Sequence, residues 1–292
     1  MLLRVNDRPI EFLDGISAVA GRYDAFISDI WGVLHDGVRL YPGVRDCLTH
    51  LKQYNKKVLL LSNSARLADE IRDQIAALGL KKDLYDHILS SGELTRDVFL
   101  SGSDTRIAGL GRRYVLLGPD TYRVAHGLGF QRTDDPGRAN FVFAVGISGN
   151  PSSPSAYEPL LIDAAARKLP MVCANPDIHV VRDGVMGIGS GALASFYERL
   201  GGEVIYFGKP HRAIYERCLQ ILGIETGRVA AVGDGIKTDI AGAAAFGIDS
   251  ILVASGIHGA ELAGIPDDCT GLAALLAAEP HSPTMAAKGF YW

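Results

Sequence analysis

Ala25-Phe26-Ile27-Ser28-Asp29-Ile30-Trp31-Gly32-Val33-Leu34 is the stretch on which the fold turns. The apolar run at its start leads into Asp29, so the sequence predicts a buried strand with the Asp29 carboxylate at its C-terminal tip. Gly32 then lets the chain turn sharply away. Two residues beyond Asp29, where a catalytic pair of carboxylates would place its second member, stands Trp31. Far downstream, Val229-Ala230-Ala231-Val232-Gly233-Asp234-Gly235-Ile236-Lys237-Thr238-Asp239 repeats the design, a strand ending in a glycine and two acids.

Working outward, the short apolar runs at residues 58–61, 204–207 and 250–253 also read as buried strands. Segments with helical spacing separate most of them. Pro42-Gly43 opens one that carries Val44, Cys47, Leu48 and Leu51 on one face. Leu67, Ile71, Ile75 and Leu78 form a second stripe, stopped by Gly79. Ile214, Cys218 and Ile221 form a third, and Ile240, Ala243 and Phe246 a fourth, stopped by Gly247. This alternation predicts an α/β fold, a Rossmann-like doubly wound parallel sheet covered by helices on both faces. Ligands of such a sheet bind outside the carboxyl ends of its strands.

Between the two halves of that pattern lies a stretch with its own α/β character. Strands are expected at 114–117, 141–145 and 171–174, and helices at 155–168 and 191–200. Asp134-Asp135-Pro136-Gly137 and residues 148–154 read as loops. The expected organisation is a core of residues 1–92 plus 203–292 and an inserted α/β domain of residues 93–202. The tail ends in Phe290-Tyr291-Trp292, aromatics expected to pack back on the core.

Composition narrows the function classes. The chain has 292 residues, 48% hydrophobic and 21% charged, with a net charge of −4 and no basic run, which argues against a nucleic-acid partner. Cys47, Cys173, Cys218 and Cys269 are widely separated and form no C-x-x-C pair, so reduced, buried thiols are expected rather than a disulfide or zinc framework. The absence of an apolar stretch long enough for a signal peptide or a membrane span leads to the expectation of a cytoplasmic protein with no membrane partner.

The residues at the strand ends suit phosphoryl transfer. That chemistry needs a carboxylate nucleophile, a divalent ion that joins it to the phosphate, and donors for the spreading negative charge. Asp29 is the candidate nucleophile and Asp234 the second carboxylate ligand of Mg²⁺, an ion that prefers oxygen and keeps several waters. Asp239 would hold one of those waters or cap a helix. Ser62, directly after its apolar run, would offer its hydroxyl and N–H to a phosphate oxygen, with Asn63 beside it. Lys209 in Gly208-Lys209-Pro210 supplies a cation, and is no Walker A lysine because Pro210 stands where Ser or Thr is required. Each feature alone is a common turn or cap. All four in one order, each directly after an apolar strand, form a specific signal.

With these motifs the chain resembles the haloacid dehalogenase superfamily. Asp29 to Leu34 matches its first motif, Ser62 its second, Lys209 its third and the 233–239 stretch its fourth. Gly208-Lys209-Pro210 and residues 233–243 are similar to the NagD-like branch, class IIA, which inserts an α/β (C2-type) cap domain between the second and third motifs. Asn175-Pro176-Asp177 is similar to a cap segment of that branch. The resemblance implies a Mg²⁺-dependent phosphatase of a small phosphorylated metabolite, working through an aspartyl-phosphate on Asp29. It implies the Trp31 backbone carbonyl as a further metal ligand, Asn175 and His179 near the substrate, and is compatible with a homodimer.

The departure is Trp31. The family usually has there a second Asp that protonates the leaving oxygen and then activates water, whereas indole only donates a hydrogen bond. Positioned acid–base help is worth about 10² to 10⁴-fold. His35, Asp36 and His179 are the candidates to replace it. Three functions therefore stay open: a phosphatase, a Mg²⁺–phosphate binding or regulatory protein with negligible turnover, and a phosphotransferase whose phosphoenzyme awaits another acceptor.

Overall fold

A computed structural model describes residues 2–5, 8–149, 153–182 and 185–292. In chain order the strands are β1 (Leu2–Val5), β2 (Arg8–Leu13), β3 (Ala25–Asp29), β4 (Lys57–Ser62), β5 (His87–Ser90), β6 (Arg113–Leu117), β7 (Gln131–Arg132) and β8 (Phe141–Ala144). They continue as β9 (Met171–Cys173), β10 (His179–Arg182), β11 (Val185–Ile188), β12 (Val204–Tyr206), β13 (Val229–Gly233), β14 (Asp249–Val253) and β15 (Met285–Ala287). The chain forms two compact units. One comprises the residues up to Ser62, Ile71–Leu89 and Lys209–Trp292; the other comprises Asn63–Glu70 and Ser90–Gly208.

The first unit is built on an eight-stranded sheet of order β1-β2-β15-β14-β13-β3-β4-β5. From β2 across to β4 every pair whose register is described is parallel, and Arg8–Leu13 folds back on β1 as an antiparallel edge. Strand β3 lies inside the sheet between β13 and β4, with Ser28 opposite Val232 and Asp29 opposite Leu61. Adjacent parallel strands that end together place Asp29, Ser62 and the Gly233-Asp234 corner along one rim. The helix Val44–Gln53 buries Val44, Cys47, Leu48 and Leu51, the stripe read from the sequence, and the helix Ala68–Ala77 buries Ile71 and Ile75. These join Phe26, Leu60 and Val232 in one apolar cluster. Each such Leu or Ile contributes about 1.5–3 kcal/mol by leaving water. A second cluster, with Ile236, Ile240, Leu252 and Leu272, lies over another part of the sheet.

The C-terminal aromatics do pack on this unit: Phe290 is buried and the Trp292 ring stacks on His50 at 4.9 Å. Gly43 is needed for that docking, since a Cβ there would lie 2.7 Å from Tyr291 Cβ.

The second unit carries a five-stranded sheet, β12-β9-β8-β6-β7, parallel in each pair, and the antiparallel hairpin β10-β11. Three sequence expectations differ from this. Residues 63–70 and 90–92, expected in the core, belong to the second unit. The boundary at residue 203 assigns the strand at 204–207 to the core, but β12 pairs with β9, Ile205 opposite Val172, in the second unit's sheet. A strand of three residues has no sequence mark of which sheet it joins. The helix expected over 155–168 is a 3₁₀ turn, Pro154–Tyr157, followed by Glu158–Ala166, and Lys168 takes a positive φ of 56° that ends it. Of the loop expected at 148–154, residues 150–152 lie outside the described residues. Among the described residues no helix is long and apolar enough to cross a membrane.

Candidate active site

The site is built at the C-terminal ends of β3, β13 and β14. Strand β3 runs through four buried residues and releases Asp29 at its tip, where Asp29 Oδ1 accepts the Ile30 N–H at 2.8 Å. Lys209 brings its ammonium 2.7 Å from the same Oδ1 and donates to Asp239 Oδ1 at 2.8 Å. Asp234 follows β13 directly. Oxygens of Asp29, Asp234 and Asp239 all lie within 4.8 Å of one another.

Local geometry explains the spacing of the two downstream acids. After Asp234 the chain makes a π-helical turn, Ile236–Ile240, before the helix Ala241–Phe246. The wide turn swings Asp239 back beneath Gly233, where a Cβ would lie 2.2 Å from Asp239 Cβ. Asp239 Oδ2 accepts from the Gly235 N–H and the Thr238 hydroxyl, both at 3.2 Å. π turns are rare and concentrate at functional sites.

Asp234 is held from both sides by bare backbone. A Cβ on Gly32, whose φ is +84°, would lie 2.1 Å from Asp234 Oδ2, and one on Gly256 only 1.8 Å away. The Ile257 N–H donates to that oxygen at 2.7 Å, and the Ser255 hydroxyl ties the same loop to the Gly32 carbonyl at 2.8 Å. The sequence reading omits Ser255, Gly256 and Ile257. Their mark is the one used elsewhere: a small, glycine-containing turn directly after the apolar strand at 250–253.

Two buried carboxylates, Asp234 and Asp239, and the largely buried Asp29 surround one ammonium, an excess of negative charge where charge is costly. Burial pushes the Asp29 carboxyl well above the usual carboxylate range against the pull of Lys209, with Asp239 and Asp234 adding to the rise. Burial, helped by Asp239, likewise pushes Asp234 up to about 7. Burial opposes the charge on Lys209, but Asp239 and Asp29 more than offset it and hold its pKa well above the ordinary lysine value. A second positive charge would relieve this excess. The all-oxygen donor set fits a hard divalent cation.

The other predicted residues fall as follows. Ser62 ends β4, the strand beside β3. Asn63, Asn175 and His179 belong to the second unit. There the Asn63 amide donates to Asp177 Oδ1 at 2.8 Å, while its carbonyl accepts from Ser91 at 3.3 Å. Asn175 closes a turn by accepting the Asp177 N–H at 3.0 Å, and Asn175-Pro176-Asp177 is brought together with Asn63 through Asp177. Gly189 and Gly191 leave room for that turn: Cβ atoms there would meet the Asp177 and Pro176 carbonyls at 2.1 and 2.0 Å. His179 is an exposed residue at the start of β10.

Trp31, partly buried, opens a short flap in which it bridges to His35 and His35 to Leu40. The two nearby candidates for proton transfer are engaged within that flap. His35 Nδ1 accepts the Gly37 N–H at 2.9 Å and burial lowers its pKa, so the ring is neutral with its proton on Nε2. Asp36 Oδ1 accepts the Val38 and Arg39 N–H groups, which hold its pKa below the usual value and keep it ionised.

Known proteins resemble this chain over the segments that carry these residues. The family model for haloacid dehalogenase-like hydrolases matches residues 26–131, spanning Asp29 and Ser62, and a HAD-hydrolase-like model matches residues 206–278, spanning Lys209, Asp234 and Asp239. Chronophin of Bos taurus is 29% identical over 266 residues, covering 83% of this chain and 85% of that protein. Acid sugar phosphatase of Staphylococcus haemolyticus is 23% identical over 239 residues, covering 80% and 86%. The crystal structure of a haloacid dehalogenase-like hydrolase from Brucella suis superposes with a TM-score of 0.81 at 29% identity, covering 96% of this chain and all of that one (100%).

Proposed function

This chain belongs to the haloacid dehalogenase-like hydrolases, and from that premise we propose that it is a Mg²⁺-dependent phosphatase of a small phosphorylated metabolite. The observation that carries this reading is the meeting of Asp29, Lys209, Asp234 and Asp239 at one rim of the sheet. The phosphatase named among the relatives supports the choice of phosphate esters.

Asp29, Asp234 and the Trp31 carbonyl would hold the ion, with Asp239 acting through one of its waters. Bound there, Mg²⁺ would neutralise phosphate charge and draw the Asp29 carboxyl into its ionised form. The Asp29 oxygen attacks phosphorus, the bond from phosphorus to the ester oxygen breaks, and the departing alkoxide takes a proton from solvent. Water then attacks the aspartyl-phosphate at phosphorus, releasing inorganic phosphate and regenerating Asp29. Lys209 and Ser62 stabilise the transferring group. Asn63 would have to give up its bond to Asp177 to contact phosphate with its amide. Substrate choice falls to the second unit, around Asn175 and His179.

Trp31 favours a second reading. It cannot relay a proton, and His35 and Asp36 are engaged elsewhere. The site can therefore bind phosphate and metal while turning over slowly, as a binding or regulatory protein or as a phosphotransferase. Phosphate release from p-nitrophenyl phosphate, with Mg²⁺ and with EDTA, decides between them. Metal-dependent release that is lost in Asp29→Asn supports the phosphatase. A protein that binds phosphate and Mg²⁺ without releasing product supports the alternative.

A further inference from the structure

The π turn that delivers Asp239 is braced from outside by one side chain. Tyr215 lies on the helix Arg212–Leu222 and is 1% exposed. Its hydroxyl donates to the Asp239 carbonyl at 3.2 Å. Gly242 makes room for the ring, since a Cβ there would lie 2.5 Å from its Cε2, and Phe246 stacks on it at 5.8 Å. The ring is thus seated by packing, and the hydroxyl is left with the backbone of the turn. That turn holds Asp239, whose carboxylate pairs with Lys209 as Asp29 does.

We propose that Tyr215 is a positioning residue for this site, fixing the Asp239 backbone so that the Asp239 carboxylate holds Lys209 against Asp29. The inference rests on reading Asp29 and Lys209 as the reacting pair. A chain of contacts supports it: the Tyr215 hydroxyl to the Asp239 carbonyl, the Asp239 carboxylate to Lys209 at 2.8 Å, and Lys209 to Asp29 at 2.7 Å. The wide turn offers fewer internal constraints than an α-helix, so an external donor has leverage on it. Tyr215→Phe removes the hydroxyl and keeps the ring that fills the space. The loss of one neutral hydrogen bond corresponds to about fivefold in an equilibrium constant.

The test is a double-mutant cycle of Tyr215→Phe with Asp239→Asn, read by Mn²⁺ binding in the absence of substrate. Tyr215→Phe should weaken Mn²⁺ binding about fivefold in the wild-type background and have no further effect in Asp239→Asn. With p-nitrophenyl phosphate, it should lower kcat while leaving KM nearly unchanged. Equal losses of Mn²⁺ affinity in both backgrounds, or no loss in either, would overturn the proposal. A side chain that only packs the fold would lower the melting temperature alike in both backgrounds and leave Mn²⁺ affinity alone. Because the Mn²⁺ titration needs no turnover, a wild-type protein that fails to hydrolyse p-nitrophenyl phosphate counts against the phosphatase reading, and the cycle still judges Tyr215.

Discussion

Lys209 Nζ stands 2.7 Å from Asp29 Oδ1, and Asp239 grips the same ammonium at 2.8 Å. One cation therefore links the candidate nucleophile to the acid that ends the fourth motif. Lys209→Met should leave buried carboxylates unpaired and destabilise the metal-free protein by about 3–5 kcal/mol. It should also lower kcat by about 10² to 10³-fold through loss of a preorganised charge. Melting curves in EDTA and in Mg²⁺, with steady-state kinetics, check this. An unchanged metal-free melting temperature would mean that Lys209 does not neutralise the cluster.

Gly32 and Gly256 should be intolerant of a single methyl. Gly32→Ala adds about 1–3 kcal/mol of backbone strain at φ +84° and drives a Cβ into Asp234. Gly256→Ala creates the same collision without a positive φ. The proposed metal site predicts a rise in wild-type melting temperature with Mg²⁺, and both variants should lose it. Retention of that rise in a folded Gly256→Ala would show that Asp234 is no ligand.

The pH dependence follows from Asp234. The folded, metal-free protein keeps this proton up to about pH 7, whereas the unfolded chain releases it near the ordinary carboxylate value of about 4. The folded state thus binds more protons between those values, and stability falls as pH rises through the window. A divalent ion must displace the proton, so its affinity should rise over the same range. Urea titrations in EDTA at pH 5 and pH 8, paired with Mn²⁺ titrations, measure both slopes. A metal affinity that is flat across the window would contradict the assignment.

Trp31→Asp restores a carboxylate two residues beyond the nucleophile. Turnover should rise, by up to about 10² to 10⁴-fold, less whatever is lost by removing a large aromatic from its packing. No rise in a well-folded variant, with wild-type turnover already fast, would show that another group moves the proton.

Much of this was legible because parallel strands in α/β folds are continuous apolar runs that end in chemistry. Asp29, Ser62 and Asp234 stand directly after such runs, and the helix stripes on Val44, Cys47, Leu48 and Leu51 are the buried ones. What escaped was carried by short or mixed segments. Arg8–Leu13 contains Pro9 and Glu11, Met285–Ala287 has three residues, and neither has a period to read. The allegiance of Val204–Tyr206 depends on pairing with a strand some thirty residues earlier, which no local pattern encodes. Ile257 acts through a backbone N–H, marked only by the glycine turn it follows, and Tyr215 through a hydroxyl from a helix remote in sequence, for which residue identity gives no sign.

The central claim is that Asp29 carries the phosphoryl group during turnover. Rapid acid quenching during p-nitrophenyl phosphate hydrolysis, followed by mass spectrometry of the digested protein, tests it directly. The account predicts one added phosphoryl group on the peptide containing Asp29, released by hydroxylamine and absent from Asp29→Asn and from EDTA-treated protein. Slow breakdown past Trp31 should make it accumulate. Phosphate release with no such adduct, or with the adduct on another residue, would contradict the account.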